Sequence, residues 1–561
     1  MARAQLLPPL LLLATACSPA AFGRYADVEI AGETDDGSST ADGLSSTSTA
    51  NTSADATTST SGGSDSDSAT TTTGAVSDSE PPVTSASDDT TTAGDDGQPP
   101  LIEEWVVTPE TITANGPITV TVTTSEAEGV RMKLDSGDIL ELTETAPSVF
   151  EGEIPALTGL DNGSHTALLT PWRDDTIGQY EEASYTIALP TPGSQAFWEV
   201  SDQIGAGRVA ALGVLPDDRI LEFGTRQVNG TSRCYLRRRE KSGAWSLQQD
   251  VMSILPATDC EAIDLTVAAD GSIFLLAKRQ GDGGLRWWLG ELAAWGQTPK
   301  NRGLGAEGEA AVALAGHSSG GVAVCGTVPT QGDDGIDAAA WMFYPDAQGK
   351  SWSADYLPDN DQEHAIAEHV GDCSFDEHQL ILVGTAFGKH LNFEPKRDRL
   401  FLLSIDSVAN LAEWSVDKGA VATQSGATAV AIVDHGRYLV GGYTCDDNCK
   451  PKGILRLLDS GEGLIGELPL GSWSSKTWGV HDIAWSPAGY AVVVSGGLQG
   501  NETAFTVRAY SPNSATPLWT FTREDAQAWH MAFGVAVGRY GEVYTGGFGD
   551  VLYPAIAFIA G

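Results

Sequence analysis

From residue 101 onward, apolar and polar positions alternate in short runs. Trp105-Val106-Val107 and Ile118-Thr119-Val120-Thr121-Val122-Thr123 follow the two-residue period of half-buried strands. Pro109 and Asn115-Gly116-Pro117 interrupt them as turns. Further short runs lie at 132–135, 149–154, 165–169 and 185–189, with a hairpin or turn signal at Asp161-Asn162-Gly163. This spacing predicts a small helix-free β-sandwich over residues 101–190.

Beyond residue 195 the alternation becomes a repeat. One unit is a strand, a Gly- or Asp-containing turn, a second strand rich in Val, Leu and Ile, then Gly. Seven copies pair 209–215 with 220–224, 262–267 with 273–276, 311–315 with 321–326, 373–375 with 380–384, 429–433 with 438–442, 482–485 with 492–497 and 534–537 with 543–547. A third strand follows each pair, for example 401–405 or 505–510. After it comes Trp245, Trp295, Trp352, Trp414 or Trp519, with Leu468 in the sixth place. A repeat of this length in strand-rich sequence predicts propeller blades, and the tryptophans are expected to pack between blades.

The last copy stops after its third strand, 555–559. Phe197 and Trp198 stand just before the first copy and supply the missing element. The expectation is that 197–200 pairs beside the C-terminal strand and closes the ring, which removes exposed sheet edges. The predicted fold is therefore all-β. A disordered N-terminal stalk leads to a small sandwich and then to a seven-bladed propeller over 195–561.

The first hundred residues are of another kind. Arg3 precedes an apolar run from Leu6 to Ala16, too short for a membrane-spanning helix. The run ends in Leu13-Ala14-Thr15-Ala16-Cys17-Ser18, so residues 1–16 read as a signal peptide. From Tyr25 to Pro100 there is no Lys or Arg, and residues 27–99 are dominated by Ser, Thr, Asp, Gly and Ala. Such a segment cannot bury enough apolar surface to offset the entropy of ordering it. Residues 17–100 are thus expected to be a linker that gives reach.

The formal net charge of −43 argues against a nucleic-acid partner, which requires Lys and Arg to neutralise phosphate. Beyond Cys17 there are six cysteines: Cys234, Cys260, Cys325, Cys373, Cys445 and Cys449. An even number in an exported chain favours disulfides, and six allow 15 pairings. Order along the chain suggests Cys234–Cys260, Cys325–Cys373 and Cys445–Cys449.

Catalytic and metal signatures are sparse. Gly316-His317-Ser318-Ser319-Gly320 matches G-x-S-x-G, but the strand that follows it points to a hairpin turn. Gly303-Leu304-Gly305-Ala306-Glu307-Gly308 matches G-x-G-x-x-G without its βαβ context and reads as a flexible connector. Asp359-Asn360-Asp361 resembles calcium ligands but lacks the Gly and Glu spacing. No metal, cofactor or catalytic residue is assigned. The channel-mouth candidates are His364, His369, His481 and His530, which precede or enter first strands.

The segment ending at Cys17 resembles the lipobox of bacterial lipoproteins, with Leu13 one place further from the Cys than usual. That resemblance implies a lipid on Cys17, and Ser18 implies outer-membrane or surface sorting. Plain secretion after Ala14-Thr15-Ala16 is the alternative. The sandwich resembles immunoglobulin-like domains of bacterial surface proteins. Val543-Tyr544-Thr545-Gly546-Gly547 and its copies resemble bacterial β-propeller repeats. The leading expectation is a membrane-tethered binding or scaffolding lipoprotein whose partner is an extracellular protein or glycan. The alternative is a propeller enzyme, a hydrolase or lyase, acting on extracellular polysaccharide or peptide.

Overall fold

The structure is a computed structural model. It describes residues 98–200, 205–241, 251–255, 259–268, 270–281, 284–293, 295–329, 336–345, 352–355, 365–388, 397–406, 412–416, 424–445, 452–460, 463–470, 477–499, 502–523, 530–549 and 553–561. Cys17 with the signal and linker segments, Trp245, Asp359-Asn360-Asp361, His364 and Cys449 lie outside the described residues. Among the described residues the fold is nearly all β, with one 3-10 turn at Gly159–Asp161.

The alternation from residue 101 builds two sheets over a common core. One sheet holds Leu101–Thr108, Gly116–Ser125, Val149–Ala156 and Thr143–Ala146, and the other has six strands. Ile118, Val120 and Val122 turn the same way along their strand and are fully buried. They pack with Val130, Met132, Leu169 and Ala183. The Asp161-Asn162-Gly163 turn is a crossover between the sheets rather than a hairpin. Asn162 accepts from the Leu189 N–H at 2.7 Å and donates to the Leu189 carbonyl at 2.9 Å.

From Gly207 the chain folds as successive antiparallel meanders. Their inner strands are Gly207–Val214, Cys260–Val267, Ala310–Gly316, Ala365–Asp376, Gln424–Asp434, Thr477–Ser486 and Met531–Val537. Each pairs with the strand that follows it. The third and fourth meanders join in one eight-stranded sheet through a parallel bridge of Ile336 to Ala367. Every inner strand touches the next, and the last touches the first.

Each inner strand carries a bulge at the matching place. The extra residues are Ala210, Ile263, Val312, Gly371, Thr428, His481 and Phe533. A bulge bends and twists its strand. In the second, fourth and sixth inner strands the next residue is Asp264, Asp372 or Asp482, all buried. Each accepts a backbone N–H from the following inner strand: Leu314 at 2.8 Å, Val430 at 3.0 Å and Val535 at 2.9 Å.

Two disulfides also cross between neighbouring meanders, Cys234–Cys260 and Cys325–Cys373. Cys445 is disulfide-bonded as well. The tryptophan landmark holds for Trp519, which opens the outer strand Trp519–Arg523 and is buried. Trp295 lies in the turn before Lys300–Leu304 and is partly buried against the core shared by the first two meanders, with the Arg238 guanidinium 4.8 Å above its ring.

The flexible connector expected at 303–308 is corrected. Gly303 pairs with Leu289 in the outer strand. A Cβ on Gly305 would sit 2.3 Å from the Trp287 indole nitrogen, so close packing requires this glycine. At Gly316–Gly320 the His317 N–H donates to the Gly321 carbonyl at 2.8 Å, and Gly320 takes φ +83° in a hairpin turn.

Gln195–Val200 runs antiparallel to Tyr553–Ile559, with Phe197 opposite Phe558 and Trp198 opposite Ala557. The Trp198 ring meets Phe505 edge-on at 5.1 Å. Glu199, in the same strand, reaches the first meander. It accepts from Arg237 and Arg239 at 3.0 Å each. Both arginines also bond Glu222, at 2.8 and 3.1 Å, and Tyr235 donates to Glu222 at 2.7 Å. Burial pushes both carboxyls up, but the two guanidinium groups outweigh it and hold them below the ordinary range.

Removing Glu199 leaves two buried cations on one carboxylate. We expect Glu199→Ala to cost about 3–5 kcal/mol in urea unfolding followed by tryptophan fluorescence. A loss below about 1 kcal/mol, the value of an exposed pair, would contradict this closure role.

Candidate functional site

The shared bulge fixes a common register, so residues two places before it form one layer at the strand-start end of the ring. They are Arg208, Glu261, Ala310, His369, Gly426, Gly479 and Met531. Charged or titratable side chains come from the first, second and fourth inner strands. The fifth and sixth contribute only glycine. Arg208 donates to Glu261 at 2.6 Å, and both are about one-third exposed. The Arg208 guanidinium also lies 5.6 Å from the Phe533 ring centroid.

The structure places the sequence-predicted histidines separately. His369 is exposed in this layer. His481 is the bulge residue of its strand, buried, with its ring edge-on to Phe533 at 5.6 Å. His530 is 2% exposed and packs edge-on to Trp198 at 5.8 Å. His481 and His530 thus serve as packing rings at the strand starts, while His369 is open to solvent.

Beside His369 stands Glu368, 2% exposed, where the third and fourth meanders meet. Burial first, then the charge of Asp337, push its carboxyl up to about 8. A hydrogen bond with Asp337 acts in the same direction. Two carboxyls so close retain a proton between them. A carboxyl this perturbed, next in sequence to an exposed histidine, is a physical marker of a candidate functional site.

Sequence reasoning reached His369 but missed Arg208, Glu261 and the Glu368–Asp337 pair. Arg208 and Glu261 are 53 residues apart in the chain, and only the common bulge brings them together. Among the described residues no cluster of three or more His, Cys, Asp or Glu could hold a metal ion. No described helix is long and apolar enough to cross a membrane.

No family model matches this chain, and no curated protein matches it. Solved structures do. A polysaccharide lyase, Uly1, is 11% identical with a TM-score of 0.42, covering 63% of this chain and 90% of its own. The β-propeller domain of the Trilobed protease from Pyrococcus furiosus is 10% identical with a TM-score of 0.40, covering 63% and 95%. An α-L-arabinanase from Penicillium chrysogenum is 10% identical with a TM-score of 0.37, covering 55% and 94%. Likenesses of this size carry no argument about activity.

The Glu368 carboxyl makes stability depend on pH. An acid whose folded pKa is raised favours the native state while protonated. Its contribution is complete below the unfolded value near 4.5 and is lost as pH rises through about 8. At about 1.4 kcal/mol per pKa unit the ceiling is roughly 4–5 kcal/mol. Glu368→Gln should flatten this slope in urea unfolding compared at about pH 6 and about pH 9. An unchanged slope would contradict the assignment.

Proposed function

We propose that this chain is an enzyme of the cell envelope acting on extracellular polysaccharide or peptide by hydrolysis or elimination. In this reading the seven meanders are the blades of one propeller, and the two preceding sheets are an immunoglobulin-like spacer. A lipid on Cys17 and the linker hold the folded part away from an outer membrane or cell surface. The observation that carries the reading is the proton-holding Glu368–Asp337 pair in the seam next in sequence to exposed His369, with the Arg208–Glu261 pair at the same register of the first and second inner strands.

His369 is the candidate general base or acid, because an exposed imidazole can both accept and donate a proton. Arg208 is the candidate group that stabilises developing negative charge, fixed in place by Glu261. Burying the Glu368–Asp337 pair carries a free-energy cost, which favours a functional role for it over a purely structural one. The binding and scaffolding reading rests on the tether and on the absence of a known catalytic motif. It predicts saturable polymer binding with no bond cleavage.

The test is turnover of a panel of envelope polysaccharides and peptides by the full chain, read by reducing ends, new unsaturation or new amines. His369→Ala is expected to lower turnover by about 100-fold or more, the usual scale of lost acid–base catalysis. Binding without cleavage would overturn the enzymatic reading, and full turnover in His369→Ala would overturn the role given to His369. Mass spectrometry of the mature N-terminus should show a lipidated Cys17. An unmodified terminus would overturn the anchor.

A further inference from the structure

Outward from Arg208 and Glu261, the first two meanders repeat one feature. In the first, Gly207 pairs with Arg226, and Arg226 with Arg233. In the second, Cys260 pairs with Arg279, and Arg279 with Arg286. Gly207 and Cys260 stand one place before Arg208 and Glu261. One register thus sets two arginines side by side, on the second and third strands of both meanders.

Residues directly opposite in an antiparallel pair share a face with Cβ atoms roughly 5 Å apart, and like charges there are destabilising. The fold does not require them. At the matching place the fourth meander pairs Ala386 with Arg399 and the fifth pairs Thr444 with Lys452, one cation each. Nor are the arginines neutralised. Arg226 donates to the Ser253 hydroxyl at 3.0 Å, but among the described residues no carboxylate pairs with Arg226, Arg233, Arg279 or Arg286. Glu261, close by in the second inner strand, is already taken by Arg208. Each of the four is partly exposed and buries one guanidinium nitrogen that has no hydrogen-bond partner. The other nitrogens of Arg233, Arg279 and Arg286 remain accessible, so a ligand reaches them. On a chain of net charge −43, unpaired guanidinium groups gathered at one place point to an anion supplied from outside.

The placement restricts that anion. Cys260 faces the first meander through its disulfide, and Arg279 and Arg286 lie in its row. Arg233 alternates with Cys234 and shares the face of Arg237, which reaches Glu199 of the last sheet. Both arginine pairs therefore turn the same way around the ring, about one sheet spacing of 10 Å apart. Two separate clamps suit a polymer with spaced charges better than a single small anion. Duplex nucleic acid carries a charge about every 1.7 Å, which these few arginines on an acidic chain do not match. The patch lies at strand ends and offers side chains rather than a free sheet edge, so it lacks the backbone groups that hold an extended peptide.

We propose that the strand-start face of the first two meanders binds an anionic polysaccharide, with Arg226–Arg233 and Arg279–Arg286 each clamping one carboxylate or sulfate. This names the substrate class of the strand-start layer, and rests on the reading of that layer for the polymer being a glycan.

The test uses the full chain with polygalacturonate and dextran sulfate, which separate carboxylate from sulfate as the recognised group. Neutral dextran, polyglutamate and duplex DNA are the comparisons. Binding is read by calorimetry at about 50 mM and about 200 mM salt. At least one anionic polysaccharide should bind at the lower salt with Kd on the order of 100 μM or tighter, and about tenfold or more weaker at the higher. The double variant Arg279→Gln with Arg286→Gln should weaken binding about tenfold or more, and so should Arg226→Gln with Arg233→Gln. Both should keep their Tm, because each relieves a like-charge pair. Lys452→Gln, at the matching place of the fifth meander, should leave affinity unchanged. No binding of either anionic polysaccharide, equal affinity for neutral dextran, tighter binding of polyglutamate or DNA, or unchanged affinity in both double variants would each overturn the proposal. Binding without cleavage would uphold this surface and count only against the catalytic reading.

Discussion

The architecture depends on one short strand placed out of order. Gln195–Val200 precedes every inner strand yet forms the outer edge of the last sheet against Tyr553–Ile559. Backbone pairing alone would attach this strand only to the last sheet. Glu199 changes this, because its carboxylate faces Arg237 and Arg239 of the first meander across the seam. The strand is thus hydrogen-bonded to the last sheet by its backbone and ion-paired to the first by a side chain.

The fold was readable because its determinants are local. Two-residue alternation, glycine turns and tryptophan landmarks lie within a few positions of each other, and they located the seven strand pairs and the Phe197-Trp198 segment. What could not be read depends on contacts between repeats. Arg237-Arg238-Arg239 looks like a solvated basic run, yet Arg237 and Arg239 are among the most buried side chains. Gly303 and Gly305 look like a loop until Trp287 is seen lying against them.

The candidate site shows the same limit. His369 was found because it opens an inner strand, a property of the sequence. His481 and His530 share that property, but aromatic neighbours, Phe533 and Trp198, turn them into packing groups. His317 was visible only as part of a hairpin turn. Its ring packs edge-on against Phe375 of the next meander, a contact between turns that no spacing rule along one strand encodes.

The seams between meanders show how the ring divides its cross-links. Asp264, Asp372 and Asp482 each reach forward, joining the second to the third, the fourth to the fifth and the sixth to the seventh inner strand. The matching positions of the remaining inner strands are Ala211, Ala313, Ala429 and Gly534, which have no side chain able to reach. Their forward seams carry other links. Cys234–Cys260 joins the first to the second meander, and Cys325–Cys373 the third to the fourth. Thr428 donates to the Val480 carbonyl between the fifth and sixth, and the Glu199 cluster joins the seventh to the first. Loop-closure entropy gives the two disulfides about 3.5 and about 4 kcal/mol for their 26- and 48-residue loops. A carboxylate that satisfies a buried N–H is worth about 1.5–3 kcal/mol. The two kinds of link are therefore comparable in strength, and an odd number of meanders makes strict alternation of one device impossible. The seam left over, between the seventh and the first, is the one closed by the ion cluster.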